Sequence, residues 1–222
     1  MRRSRRRPAA ARTAVRPSRR YHHGNLRQAL LDAARDLVER EGAEALTLRA
    51  AARRAGVSQA APYRHFADKR ALLAGVAEEG FRALADGMRR AAAAPAADSL
   101  GRLQALGLAY VGFATGHPSH FRVMFGRELA DRSPYPSLEE AAAEAFGLLV
   151  DGIGECQRAG HVRAGEPRDL ALAAWSAVHG LSALVVDGQL LRLERREAYE
   201  LAQSVTAALF LGLTAAPDAR RA

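Results

Sequence analysis

Through most of the chain apolar residues recur at every third or fourth position, the spacing of one face of an α-helix, and no segment alternates with the period of two expected of a half-buried strand. From Asn25, a candidate N-cap, Leu26, Leu30, Ala33 and Leu37 share such a face, and Gly42 stands where a C′ glycine ends a helix. Thr47 can cap a short second helix, Leu48–Ala55, after which Gly56 supplies the left-handed backbone residue that a tight turn needs. Ser58 is expected to cap a third helix over 59–65, only about two turns long, with Pro62 early enough to be tolerated near its first turn. Asp68 opens a fourth helix carrying Leu72, Leu73, Val76, Phe81 and Leu84 toward an alanine tract that ends at Pro95. Further helices are expected over 98–116, 118–126, 137–159, 167–187 and 195–215, separated by Pro118, Pro134, Pro136, Gly160, Gly165 and Pro167. The pattern predicts an all-α protein of about nine helices without a fixed-period repeat.

A length of 222 residues suits one small domain plus a larger one, or one helical body with two functional halves. The expected division is 1–20 as a disordered arm, 21–70 as a small N-terminal unit and 71–222 as a larger helical body. Net charge, +9, changes meaning once it is located. Residues 1–20 hold nine arginines, Pro8 and Pro17 but no acid and no apolar period, which leaves 24 basic and 24 acidic residues for the rest. Within that neutral remainder, residues 47–70 carry Arg49, Arg53, Arg54, Arg64, Lys69 and Arg70 against Asp68 alone, so a phosphate-binding surface is expected there. The single cysteine, Cys156, excludes an intramolecular disulfide and indicates neither an oxidising compartment nor a cysteine-based metal site, and a cytoplasmic location is expected. No apolar run follows the N-terminal arginines as a secretion signal requires. The stretch from Leu170 to Val186 is uncharged but broken by Ser, His and Gly, which favours a buried helix over a membrane span.

The second helix, the turn at Ala55-Gly56-Val57 and the short third helix have the length and spacing of a helix-turn-helix, a unit that presents its second helix to the DNA major groove. Ser58 and Gln59 open that third helix, where backbone N–H groups attract phosphate and a side-chain amide can read a base edge. Ala60 and Ala61 are too small to hydrogen-bond a base; they can touch a thymine methyl or simply permit close approach. Tyr63, Arg64, His65 and Lys69 supply hydroxyl, guanidinium, imidazole and ammonium donors suited to phosphates. Arg53 and Arg54 fit solvated helix charges better than direct contacts, and Val57 and Phe66 fit the core.

Leu46-Thr47-Leu48-Arg49, Ala55-Gly56-Val57-Ser58, Tyr63-Arg64-His65-Phe66 and Asp68-Lys69-Arg70-Ala71-Leu72-Leu73, in that order, resemble the DNA-binding region of the tetracycline-repressor (TetR) family. The resemblance implies a homodimer that binds a palindromic double-stranded operator, with Arg49 on a base, Thr47 on a phosphate and Tyr63 facing DNA. Pro62 departs from the family, many of whose members carry Leu there. Further on, Trp175-Ser176-Ala177-Val178-His179-Gly180 resembles the Trp-His-Gly motif of one TetR C-terminal type, which Tyr21-His22-His23-Gly24 also accompanies.

Trp175 and His179 stand four apart on one helix face, as a packing anchor with a core histidine or as ligand contacts. Tyr110, Phe113, Phe121, Met124 and Phe125 concentrate soft and aromatic side chains in a chain with 6% aromatics; they build either ordinary core or, with Trp175 and His179, a pocket for an apolar or aromatic effector. Ser176, Gly180 and Ala183 form a small-residue stripe, and Leu201, Val205, Ala208, Leu209 and Gly212 recur at helical spacing. The resemblance implies a four-helix dimer interface there, although an intramolecular core would use the same pattern.

Cys156, His161 and His179 lie in no ordered catalytic motif, and no catalytic site, cofactor or metal is expected. His22 and His23 are adjacent, so they cannot both point at one ion from a helix with His65. The function expected is that of a sequence-specific transcription regulator, a ligand-released repressor. The alternatives are a ligand-dependent activator of the same family and a nonspecific nucleic-acid binder driven by the arginine arm.

Overall fold

The computed structural model describes residues 25–95, 98–190 and 195–213, so the arginine arm and the Tyr21 to Gly24 run lie outside the described residues. Its α-helices are α1 (Leu26–Glu41), α2 (Leu48–Ala55), α3 (Lys69–Ala93), α4 (Ser99–Gly116), α5 (Pro118–Met124), α6 (Pro136–Arg158), α7 (Pro167–Val186) and α8 (Arg195–Leu213), with 3-10 turns at Ala61–Arg64 and Arg127–Leu129. The fold is all-helical, and no strand occurs among the described residues. The expected caps form: Asn25 Oδ1 accepts from Gln28 N at 3.1 Å, Thr47 Oγ1 from Ala50 N at 3.0 Å and Asp68 Oδ1 from Ala71 N at 2.8 Å. Gly56 has φ +73°, in the left-handed region, which turns the chain sharply out of α2.

The expected third helix is corrected. Residues 59 and 60 form a turn, and only Ala61–Arg64 winds, as a 3-10 turn without a side-chain cap. Ser58 receives the Ala61 N–H on its backbone carbonyl at 3.0 Å, not on its hydroxyl. Pro62 is the physical reason. It has no N–H to return to the Ser58 carbonyl four residues back, and its ring crowds that carbonyl. The turn closes below with N–H groups of both His65 and Phe66 on the Pro62 carbonyl, at 2.9 and 3.0 Å.

Helix α3 is the spine. Its first half buries Leu72, Leu73 and Val76 in the cluster that holds Leu30, Leu31, Leu46 and Phe66; its second half buries Phe81, Leu84 and Met88 among α4, α5 and α6. The Gly80 backbone lets α5 close on α3, since a Cβ there would lie 2.5 Å from Met124 Sδ. Helix α5 also packs on α1, so the N-terminal unit touches the body through two elements. Helices α4, α7 and α8 pack on one another. Among the described residues α7 alone is long and apolar enough to cross a membrane by length and composition; a third of its 18-residue apolar window is buried, and Leu172, Ala173, Ser176 and Leu184 are exposed.

Candidate nucleic-acid interface and internal cavity

Thr47 and Arg49 from α2, and Ser58, Gln59, Ala60, Tyr63, Arg64 and His65 from the following turns, are all exposed; Ala61 and Lys69 are half-buried. The side chains between them point the other way: Leu48, Ala51, Ala52, Pro62 and Phe66 are buried. Tyr63 is 55% exposed, so it is a surface aromatic and not core. Thr47 Oγ1 spends a lone pair on the Ala50 N–H, which leaves its O–H to donate to a phosphate. Among the described residues Arg49, Arg53 and Arg64 form no ion pair, whereas Arg54 is held 3.0 Å from Asp36 and ties α2 to α1. Lys69 Nζ rests 3.4 Å from the Glu44 carbonyl. Arg70 turns away from the exposed face, donating from Nε and Nη2 to the carbonyls of Glu128 and Asp131, each at 3.1 Å. The surface is thus cationic, with hydroxyl, amide and guanidinium donors outward on a small packed unit, as phosphate and base-edge contacts require.

In the body a cavity of about 600 Å³ opens between α3, α4, α6, α7 and α8. Phe81, Met88, Leu106, Tyr110, Phe125, Phe146, Leu149, Trp175 and Val178 build its apolar wall; Asp131, Arg132, Ser133, Glu139, Arg168 and Asp169 add polar groups. A hydrogen-bond chain runs through its floor. Trp175 Nε1 donates to Tyr110 Oη at 3.2 Å, and Tyr110 Oη lies 2.8 Å from His179 Nδ1. An indole N–H can only donate, so the tyrosine oxygen accepts it; which of Tyr110 Oη and His179 Nδ1 donates to the other follows the histidine tautomer. Burial pushes the His179 pKa down, which keeps that ring neutral, and raises that of Tyr110.

Residues 30–76 match the family described as bacterial regulatory proteins, tetR family, and residues 103–209 match the family described as tetracyclin repressor-like, C-terminal domain. The chain belongs to the TetR family. It is similar to a protein of unknown function from Rhodococcus sp. RHA1, with 34% identity and a TM-score of 0.76 over 89% of this chain and 100% of that one. The fold is shared with a tetR-family bacterial regulatory protein from Rhodococcus RHA1, at 18% identity and a TM-score of 0.69 over 86% and 98% of the two chains. It is shared too with the ketosteroid transcriptional regulator KstR2 of Mycobacterium tuberculosis, at 21% identity and 0.65 over 88% and 98%. No protein of curated function matches the sequence.

As a TetR-family protein this chain is a DNA-binding transcriptional regulator. Of the side chains expected around an effector, Tyr110, Phe125 and Trp175 line the cavity; Phe113, Phe121, Met124 and His179 do not. Phe121 and Met124 are buried behind the wall, with Phe121 5.1 Å from the Phe125 ring, and His179 backs Phe125 at 4.5 Å between centroids. Phe113 packs at a tilt against His117, 5.1 Å between ring centroids, on the turn between α4 and α5. Missed in the sequence are Phe81, Met88, Phe146 and Arg132, which come from α3, α6 and a loop and meet only through packing. Of the residues expected at a dimer interface, Ser176 is exposed, Gly180 and Ala183 are half-exposed, Leu201 and Val205 rest half-buried on the core, and Leu209 lines the cavity. Cys156 is fully buried, with burial pushing its thiol pKa up, and His161 Nδ1 pairs with Ser99 Oγ at 2.9 Å, a contact that ties α4 to the end of α6.

Proposed function

We propose that this regulator is a homodimeric repressor whose grip on a palindromic operator is released by a small apolar or aromatic effector in the cavity. The observation that carries this is one continuous link. The cavity wall includes residues 130–133, and the backbone carbonyls of Asp131 within that segment and of Glu128 just before it hold Arg70 in the first turn of α3, next to Lys69 and the exposed cationic face. An effector that alters this segment or displaces Phe81 acts on the helix that carries the DNA-reading unit. Reading heads on a dimer must match half-sites about 34 Å apart per turn of DNA, so a tilt of α3 by a few ångströms suffices to lose one of them. The effector shifts that equilibrium by its difference in affinity between the two arrangements, and no more.

Dimerisation is supported by the apolar surface that α7 and α8 leave uncovered in one chain. Leu172 is 50% exposed, Leu184 45% and Leu211 82%, alongside Ala173, Ser176 and Ala207. Surfaces of this kind on a soluble chain mark contact sites, and small residues let helices approach closely. On this division, residues 21–70 with the first turns of α3 read DNA, and the remainder of 71–222 binds the effector and the partner chain. Arg49 and Gln59 read bases; Thr47, Ser58, Tyr63, Arg64, His65 and Lys69 hold phosphates; Ala60 and Ala61 allow close approach.

The test is expression of a reporter from the chain's own operator in cells lacking the gene. Derepression on deletion, reversed by the gene and relieved by an effector that raises the melting temperature, is the expected result. Reporter output that falls on deletion would make it an activator. If removing residues 1–20 abolished binding instead of weakening it, the protein would be a nonspecific nucleic-acid binder.

A further inference from the structure

The polar groups of the cavity wall can be accounted for atom by atom. Trp175 Nε1–H is committed to Tyr110, whose hydroxyl is paired with His179 Nδ1. Thr206 Oγ1 donates to the Ala202 carbonyl at 2.8 Å, and Ser133 Oγ donates to Asp131 Oδ1 at 2.7 Å. Every hydroxyl and the indole N–H on the wall therefore has a hydrogen-bond partner within the chain. The guanidinium groups of Arg132 and Arg168 remain.

They differ. Arg168 is exposed, 5.4 Å from the centroid of Phe146. Arg132 is half-buried, its guanidinium 4.8 Å from the centroid of Phe81, and burial disfavours its charge, opposed by the Glu139 carboxylate nearby. Its one described hydrogen bond runs from Nη2 to the Met124 carbonyl at 2.8 Å, whereas a guanidinium carries five N–H donors. The carboxylates of the wall, Asp131, Glu139 and Asp169, are all exposed. Asp131 already accepts from Ser133 N and Oγ, and Glu139 and Asp169 stand in the first turns of α6 and α7, where the helix N-terminus offsets negative charge. The half-buried charge of the cavity is therefore a cation with unspent donors beside an apolar volume. A purely apolar occupant would leave those donors unmet in a drier site; a carboxylate meets two of them side by side.

We propose that the cavity binds an amphipathic carboxylic acid, its apolar body among Phe81, Phe125, Phe146 and Trp175 and its carboxylate on Arg132. This rests on the reading of the cavity as the effector site and names the ligand's chemistry. It also places the charged contact where release needs it. Arg132 follows directly on Asp131, whose carbonyl holds Arg70, so pairing at Arg132 acts on the segment joined to the DNA-reading end of α3.

The experiment titrates the full-length protein at neutral pH with 6-phenylhexanoate, its primary amide and 6-phenylhexylamine, reading the fluorescence of Trp175, the only tryptophan. The acid should bind at least about tenfold more tightly than the amide, with the amine weakest. Arg132→Gln, checked for folding by its melting curve, should bring acid and amide to within about twofold of each other while leaving the amide where it was; Arg168→Gln should keep the preference. Should Arg132→Gln fail to fold, Arg132→Lys serves, keeping the charge but not the fork, and should lose part of the preference. Equal binding of acid and amide, tighter binding of the amine, no binding of the acid, or a preference unchanged in both Arg132 variants would overturn the proposal. Ala142→Phe, which fills the cavity, separates the two failures. An amide that binds as well as the acid and is excluded by Ala142→Phe leaves the cavity as the effector site and removes only the carboxylate; binding indifferent to Ala142→Phe removes both.

Discussion

At the scale of the residue, specificity and affinity for DNA separate onto different side chains. Gln59 and Arg49 present an amide and a fork of donors on the exposed face, so replacing either by Ala should lower the preference for the operator over random DNA by about 1–3 kcal/mol. Lys69→Ala should weaken all DNA alike and reduce the salt dependence, since an ammonium on a phosphate carries no sequence information. Competition binding with operator and shuffled fragments distinguishes the two, and a specificity ratio untouched by both Gln59→Ala and Arg49→Ala would move base reading elsewhere. A second residue sets a pH response. His120 on α5 is 9% exposed, its Nδ1 has no hydrogen-bond partner among the described residues, and burial, reinforced by Arg35 and His117 and opposed by Asp32, lowers its pKa to about 4. The folded state thus resists a proton that the unfolded chain accepts near pH 6.5, and stability should fall as pH drops from about 6.5 toward 4, by up to about 3 kcal/mol from this group. His120→Leu should raise the melting temperature more at pH 5 than at pH 8; an equal change at both would assign the acid sensitivity to other groups.

At the scale of the element, most boundaries were legible because they are local chemistry. Asn25, Thr47 and Asp68 cap the helices they were expected to cap, and Gly42 and Gly56 end theirs with positive φ. The recognition segment was legible as a place but not as a conformation: Pro62 fits a helix's first turn, but without an N–H and with its ring against the Ser58 carbonyl it removes the α-helical bond back to Ser58, and only a short 3-10 turn winds. The cavity was half legible. An excess of aromatics around α4 and α5 marked the region, but whether a ring faces the void or backs it depends on how α3 and α6 cross it, which periodicity within one helix cannot state. The segment from Arg127 to Ser133 carried no sequence signal, yet it bridges cavity and DNA unit through Arg70. Arg70→Ala should therefore leave effector affinity within about twofold but cut the effector's effect on operator affinity, an effect that for coupled sites is about 5- to 150-fold. An undiminished effect, measured by operator binding with and without effector, would place the coupling in α5 against α1 instead.

At the scale of the whole molecule, the apolar surface of α7 and α8 and the reading of a palindrome both call for a second copy. Leu184→Glu and Leu211→Glu alter exposed side chains, so each should give a folded monomer by sedimentation with operator binding weakened at least about tenfold. Leu209 is less suitable for this purpose because it also lines the cavity. A dimer that survived both changes would put the interface elsewhere. The most direct measurement of the central claim is selection of fragments from the host genome by the purified full-length protein, repeated with Gln59→Ala. The account predicts enrichment of an imperfect inverted repeat whose half-site centres lie one helical turn, about 34 Å, or a small multiple of it apart, and loss of that enrichment in the variant. Fragments enriched without a common repeat, and equally by both proteins, would contradict it.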